Sequence, residues 1–142
     1  MEKILVSACL LGVECRYCGD GCYNEAVASL AARHILIPAC PEQLGGLPTP
    51  REPAEIKNGR VFTKDGREVT SAFEKGARAA LRIVKILGCK YAILKSRSPS
   101  CGSGTIYDGS FSGVVTAGDG ITASLLEKNG VTLFSEENLP DL

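Results

Sequence analysis

The chain has no tryptophan, one methionine and one histidine among its 142 residues, and aromatic residues make up only 6% of it. It also lacks net charge, with 16 Lys+Arg against 16 Asp+Glu. Gripping nucleic acid or anionic lipid across a broad face needs clustered cations that displace counterions, so neither partner is expected. Long apolar runs are missing too, and nothing approaches the ~18 residues of a membrane-spanning helix. The start imitates a lipoprotein signal, because Val6-Ser-Ala-Cys9 reads like a lipid-attachment site. Its apolar core runs only from Ile4 to Ala8, short of the ~7–15 residues such a signal uses. What the chain does have is sulfur. Seven cysteines are present, an odd number that rules out complete disulfide pairing. A reducing, cytoplasmic setting is expected, where many cysteines mean metal, cluster or catalysis. Hydrophobic residues at 44% and charged residues at 23% describe one folded domain spanning residues 1–142.

The apolar pattern predicts strands at 4–8 and 35–39, both buried, and further strands at 91–94 and 131–134. Helices are predicted at 23–33, capped by Asn24, at 71–88 and at 119–129. The second of these opens on a capping box, Ser71-x-x-Glu74, and ends at Gly88. Phe73, Ala77, Ala80, Leu81, Val84 and Leu87 give it one apolar face. Asp65-Gly66, between alternating residues of 60–69, signals a hairpin. Strands alternating with helices imply right-handed βαβ crossovers. The expected fold is α/β, a three-layer sandwich with a mainly parallel, Rossmann-like sheet of about four to five strands. A glycine-rich connection from Lys95 to Gly118 is too long for a compact domain unless it is functional.

This topology makes the cysteines informative. Cys9 follows the first strand, Cys40 the second, and Cys101 lies in the loop after the third. All three belong to the carboxyl edge of a parallel sheet, where open α/β folds bind ligands. Three thiolates without an evident fourth ligand favour an iron–sulfur cluster over zinc, which prefers four closed ligands or a His or carboxylate. A cubane held by three cysteines leaves one iron open. Pro41 and Pro99 stiffen two of these loops, while Gly45, Gly46, Gly102 and Gly104 let backbone approach a bulky inorganic body. A second group, Cys15-x-x-Cys18-x-x-x-Cys22, is either a metal half-site or a set of reduced thiols. Cys89 follows a helix end and reads as core.

Three blocks then resemble the thiouracil desulfidase family over nearly the whole chain. They are Ser7-Ala-Cys-Leu-Leu-Gly-x-x-Cys-Arg-Tyr17, Cys40-Pro-Glu-x-Leu-Gly-Gly-Leu-Pro-Thr-Pro-Arg51 and Leu94-Lys-x-x-Ser-Pro-Ser-Cys-Gly102, the last continued by Gly104-Thr-Ile-Tyr-Asp-Gly-x-Phe-x-Gly113. The resemblance implies a [4Fe–4S] cluster on Cys9, Cys40 and Cys101, and non-redox, hydrolytic removal of sulfur from a thiolated nucleobase such as 2-thiouracil. It also implies Glu42 as the acid/base and Ser98 as its partner hydroxyl. Cys18 and Cys22 are departures that add thiols to the first block.

The residues themselves allow plainer roles. A loop glutamate such as Glu42 is either a proton carrier beside the open iron or a salt-bridged carboxylate. Ser98 and Ser100 flank Pro99 and could simply cap a turn. Arg16 and Arg51 are placed to hold an anion or to form surface ion pairs. Asp108 and Asp119 read as turn caps, His34 as a helix end, and Lys95 as a solvent-facing strand-end residue or a counter-charge to a cluster. Three functions stay open: a cluster-dependent desulfidase acting on a small thio-base, a cluster or persulfide sulfur carrier, and a small zinc protein built on Cys15, Cys18 and Cys22.

Overall fold

The computed structural model describes all 142 residues, Met1 to Leu142. Four strands form the central sheet: β1 (Lys3–Ser7), β2 (Ile35–Ala39), β5 (Tyr91–Ile93) and β8 (Thr132–Phe134). Their order is β2-β1-β5-β8 and every pairing is parallel. β1 sits inside the sheet and is apolar on both faces, as a covered parallel strand must be; Ile4, Leu5 and Val6 are all buried. β2 differs from expectation. Its boundaries are as predicted, but it is an edge strand, and Ile35 is 45% exposed. Pro38 lacks an N–H and is tolerated there because an edge strand has one unpaired side.

Helices cover both faces, giving three layers. On one face Leu5, Ala39, Ala92 and Leu94 pack with Ala80 and Val84 of α3 (Thr70–Leu87) and Ala123 and Leu126 of α4 (Ile121–Lys128). On the other, Ile4, Val6 and Ile93 pack with Leu10 of a 3-10 turn (Ala8–Leu11) and with Val27 of α1 (Glu25–Ser29). Asn24 caps α1, its side chain accepting from the Val27 N–H at 3.0 Å. The expected helix over 23–33 is shorter, because a 3-10 turn at Leu30–Ala32 replaces its last part.

α3 ends at Gly88 in the left-handed region, φ 72°, as expected, but its start differs. Val69 occupies the cap position and no side chain caps it. Ser71 therefore lies inside the helix, and the Thr70 hydroxyl accepts from the Val61 N–H instead, at 2.8 Å.

Two small hairpins extend beyond the sheet. The first joins β3 (Ala54–Lys57) to β4 (Arg60–Thr63) through Asn58-Gly59, both with positive φ. Such a two-residue turn matches the twist of its strands, so the hairpin lies one turn earlier than Asp65-Gly66 suggested. That later pair makes a further turn, bringing Glu68 beside Phe62. The second hairpin, β6 (Thr105–Tyr107) with β7 (Val115–Ala117), occupies the glycine-rich connection that the sequence pattern left without structure.

Candidate functional site

The parallel register brings distant residues together. Ser7 pairs with Ala39 and Val6 with Ile93, so the chain leaves β1, β2 and β5 at one edge. There Cys9, Cys40 and Cys101 line one cavity of about 410 Å³. Glu42, Arg51, Ser98, Arg16 and Lys95 line it as well. So does Cys15, which the sequence grouped with Cys18 and Cys22.

Local structure explains the convergence. After β1 the 3-10 turn ends at Gly12, φ 91°, and the chain doubles back so that Cys15 is buried beside Cys9. After β2, Cys40 is the cap of the short helix α2 (Pro41–Leu44), with Pro41 at its first position. α2 crosses α3 at backbone contact. A Cβ on Gly76 would lie 1.8 Å from the Pro41 carbonyl oxygen, and one on Gly45 2.0 Å from that of Ala72. Only glycine permits that approach, and it fixes Cys40 and Glu42 against the largest helix. Cys101 sits in a turn secured by Ser98, whose Oγ accepts from the Ser100 and Cys101 N–H groups at 3.1 and 3.0 Å. Ser100 is buried and bonded to the Thr122 hydroxyl at 2.8 Å, so it anchors the turn to α4.

Three of the cavity thiols, those of Cys15, Cys40 and Cys101, are held in their neutral form. Burial pushes the Cys101 thiol up to about 12, against hydrogen bonding with Ser7 that pulls it down. The Cys40 thiol lies far above the ordinary range, first through its hydrogen bond with Cys15 and then through burial. That bond lowers Cys15, but a second one with Cys9, together with burial, outweighs it and the net shift is upward. Cys15 therefore lies between Cys9 and Cys40, and the Cys40 thiol also donates to the Cys15 carbonyl at 3.7 Å.

Glu42 is not a solvated carboxylate. Its side chain is 17% exposed, and its Oε1 accepts from Arg51 Nε at 3.0 Å. Burial raises its pKa and Arg51 opposes this; burial wins. Arg51 itself, expected to hold an anionic ligand or a surface partner, is spent on the protein. Beyond Glu42 it donates to the carbonyls of Cys15 at 2.9 Å and Pro48 at 3.1 Å and to the Thr49 hydroxyl at 3.0 Å.

Lys95 is not solvent-facing: its Nζ pairs with Glu136 at 2.8 Å, and that carboxylate also accepts from the Ser96 N–H and hydroxyl. Arg16 pairs with Asp20 and lies over the Tyr17 ring. Asp108 and Asp119 cap turns, as expected, accepting from the Ser110 and Gly104 N–H groups. His34 accepts from the Glu2 N–H and lies away from the cavity, and Cys89 belongs to the core.

Cys18 and Cys22 stay outside. Cys18 is exposed, with its thiol on Asp20 at 2.9 Å, and Cys22 packs against the core. No three His, Cys, Asp or Glu side chains gather closely enough to ligate one metal ion, which the zinc reading required. A cluster presents its ligands at separate corners of a wider body. Soft thiols spread around one cavity suit it.

Comparison with known proteins gives the family and the fold. A family model described as 2-thiouracil desulfurase matches residues 4–138. An uncharacterised protein, YbbK, of Bacillus subtilis strain 168 is 44% identical over 98% of this chain and 99% of its own length. A solved structure of a [4Fe-4S]-dependent thiouracil desulfidase, TudS, superposes with a TM-score of 0.94 at 47% identity, covering 100% of this chain and 95% of that one.

Proposed function

The chain belongs to the 2-thiouracil desulfurase family, and from that premise we propose that it hydrolyses the C–S bond of a thiolated nucleobase such as 2-thiouracil. The products are the oxo-base and sulfide, with no change of oxidation state. Cys9, Cys40 and Cys101 would hold a [4Fe–4S] cluster. When bound, such a cluster supplies an iron with an open position for the substrate's sulfur.

The chain's own groups handle water and protons. Replacing C=S with C=O consumes one water, whose two protons leave with the sulfide. Glu42 is the proton carrier: Arg51 fixes one carboxylate oxygen, and the other remains free at the cavity. Ser98 is restricted to donation. A hydroxyl has two lone pairs and one proton, and both lone pairs already accept backbone N–H groups. Its proton alone remains to orient a water or a substrate oxygen.

The observation that carries this reading is Glu42 held by Arg51 in the same cavity as the three strand-end cysteines. The test is single-turnover uracil formation from 2-thiouracil by anaerobically reconstituted wild type and Glu42→Gln, with cluster content matched by absorbance. Loss of a general acid–base is worth roughly 10²–10⁴ in rate. A loss below tenfold removes Glu42 from the mechanism. Wild type that binds iron and sulfide but forms no uracil is a sulfur carrier instead.

A further inference from the structure

Phe111 stands in a backbone conformation that its side chain disfavours. Its φ is +56°, in the left-handed region that a bulky residue keeps only where its surroundings impose it. The surroundings do impose it. Glu55, on β3, extends Oε1 to accept from the Gly109 N–H at 3.0 Å and the Phe111 N–H at 3.1 Å. Gly109 is pressed against the same strand, and a Cβ there would lie 2.8 Å from the Ile56 carbonyl oxygen. The tip of the β6–β7 hairpin is thus clamped onto the β3–β4 hairpin. Glu55 makes no ion pair, so its carboxylate is committed to these amides.

The clamp presents Phe111 to the cavity of Cys9, Cys40, Cys101 and Glu42, whose wall also includes Tyr107 and Pro99. A large apolar side chain held in a strained backbone on the wall of this cavity suits a planar, apolar partner. We propose that Phe111 is the stacking wall for the heteroaromatic ring of the substrate, and that Glu55 is the positioning residue that holds it there. This rests on the thio-base reading and adds a selection rule: flat, conjugated thioamide rings are preferred over puckered, saturated ones.

The experiment compares 2-thiouracil with its 5,6-dihydro analogue, which keeps the thioamide and loses the planar conjugated ring. Both are turned over by cluster-loaded wild type, Phe111→Leu, Phe111→Gly, Phe111→Tyr and Glu55→Gln. Removing one base–aromatic stack costs roughly 5- to 150-fold in affinity. Phe111→Leu and Phe111→Gly should raise KM for 2-thiouracil about tenfold, leave kcat within about threefold and shift the dihydro analogue by less than threefold. Phe111→Tyr should restore the wild-type KM. Phe111→Gly also relieves the left-handed strain, so it stays folded and keeps the test open if other variants do not. In Glu55→Gln, hydrogen exchange at the Gly109 and Phe111 amides should accelerate together with the rise in KM. An unchanged KM in Phe111→Gly, or equal loss for both substrates, overturns the stacking wall while leaving desulfuration standing. Loaded wild type that turns over neither substrate overturns both.

Discussion

Cys101 and Cys18 are the same residue in opposite circumstances. Cys101 is buried in a turn anchored to α4, and its thiol is pushed up to about 12. Cys18 lies exposed on an irregular loop beside Asp20. The first belongs to a set whose roots are the ends of packed strands; the second hangs from a turn that nothing in the sheet positions. Spacing in sequence did not separate them, since Cys15-x-x-Cys18 looks like one unit. The fold divides that pair, taking Cys15 into the cavity and leaving Cys18 outside. Placement by buried elements makes a cysteine set, and proximity along the chain does not.

Thiol reactivity gives the largest contrast. A pKa of about 12 against the ordinary 9.0 leaves Cys101 with ~10³-fold less thiolate than an unperturbed thiol at pH 8, and the thiolate is the nucleophile. Iodoacetamide should therefore label Cys18 first in the cluster-free protein and Cys101 at least ~100-fold more slowly, as read by peptide mass spectrometry over time. Equal rates would erase the distinction.

The seating of α2 comes next. Gly76→Ala forces a Cβ into the Pro41 carbonyl, an overpacking that costs about 1–3 kcal/mol or more. Because α2 carries Cys40 and Glu42, lower thermal stability and weaker iron retention should appear together. Stability lost with iron binding intact would mean that α2 does not place Cys40.

The smallest effect is at the cavity's far wall. Burial raises the Glu136 pKa, but the Lys95 ammonium and the Ser96 N–H outweigh it and the net shift is downward. A depressed carboxyl stabilises the fold above its unfolded pKa and loses that contribution as pH falls through its folded value. Glu136→Gln should cost about 1 kcal/mol at pH 7, and its denaturation midpoint should converge with wild type as pH falls through the depressed folded value of Glu136. A gap that persists into acid would indicate packing, not charge.

The sequence showed best what repeats. β2 was legible to its end residues as a short apolar run, and α3 to within one residue at each end because its buried face repeats every three to four residues. The strand ends then located Cys9, Cys40 and Cys101 on one edge. Pairings that no pattern announces were not legible. Arg51 reaches Glu42 and Cys15 only because α2 and the loop after Gly12 meet, a tertiary coincidence. Cys15 joins the cavity because the chain reverses at Gly12. β6 and β7 have three residues each and mostly exposed side chains, too short for alternation to register. Glu55 and Phe111 were missed for a related reason, since their bonds link two hairpins. One signal was available: Lys57-Asn58-Gly59-Arg60 is a stronger hairpin turn than Asp65-Gly66, and reading it would have put Glu55 on a strand.

The site is defined most directly by which cysteines retain iron. Anaerobic reconstitution of wild type, Cys9→Ser, Cys40→Ser, Cys101→Ser, Cys18→Ser and Cys22→Ser, followed by iron and sulfide counts, measures this without any substrate. About four irons per chain are expected for a cubane in wild type, Cys18→Ser and Cys22→Ser, with loss of the cluster in each of the other three. A full cluster in Cys9→Ser alongside an empty Cys18→Ser would contradict the claim that the strand-end cysteines form the site.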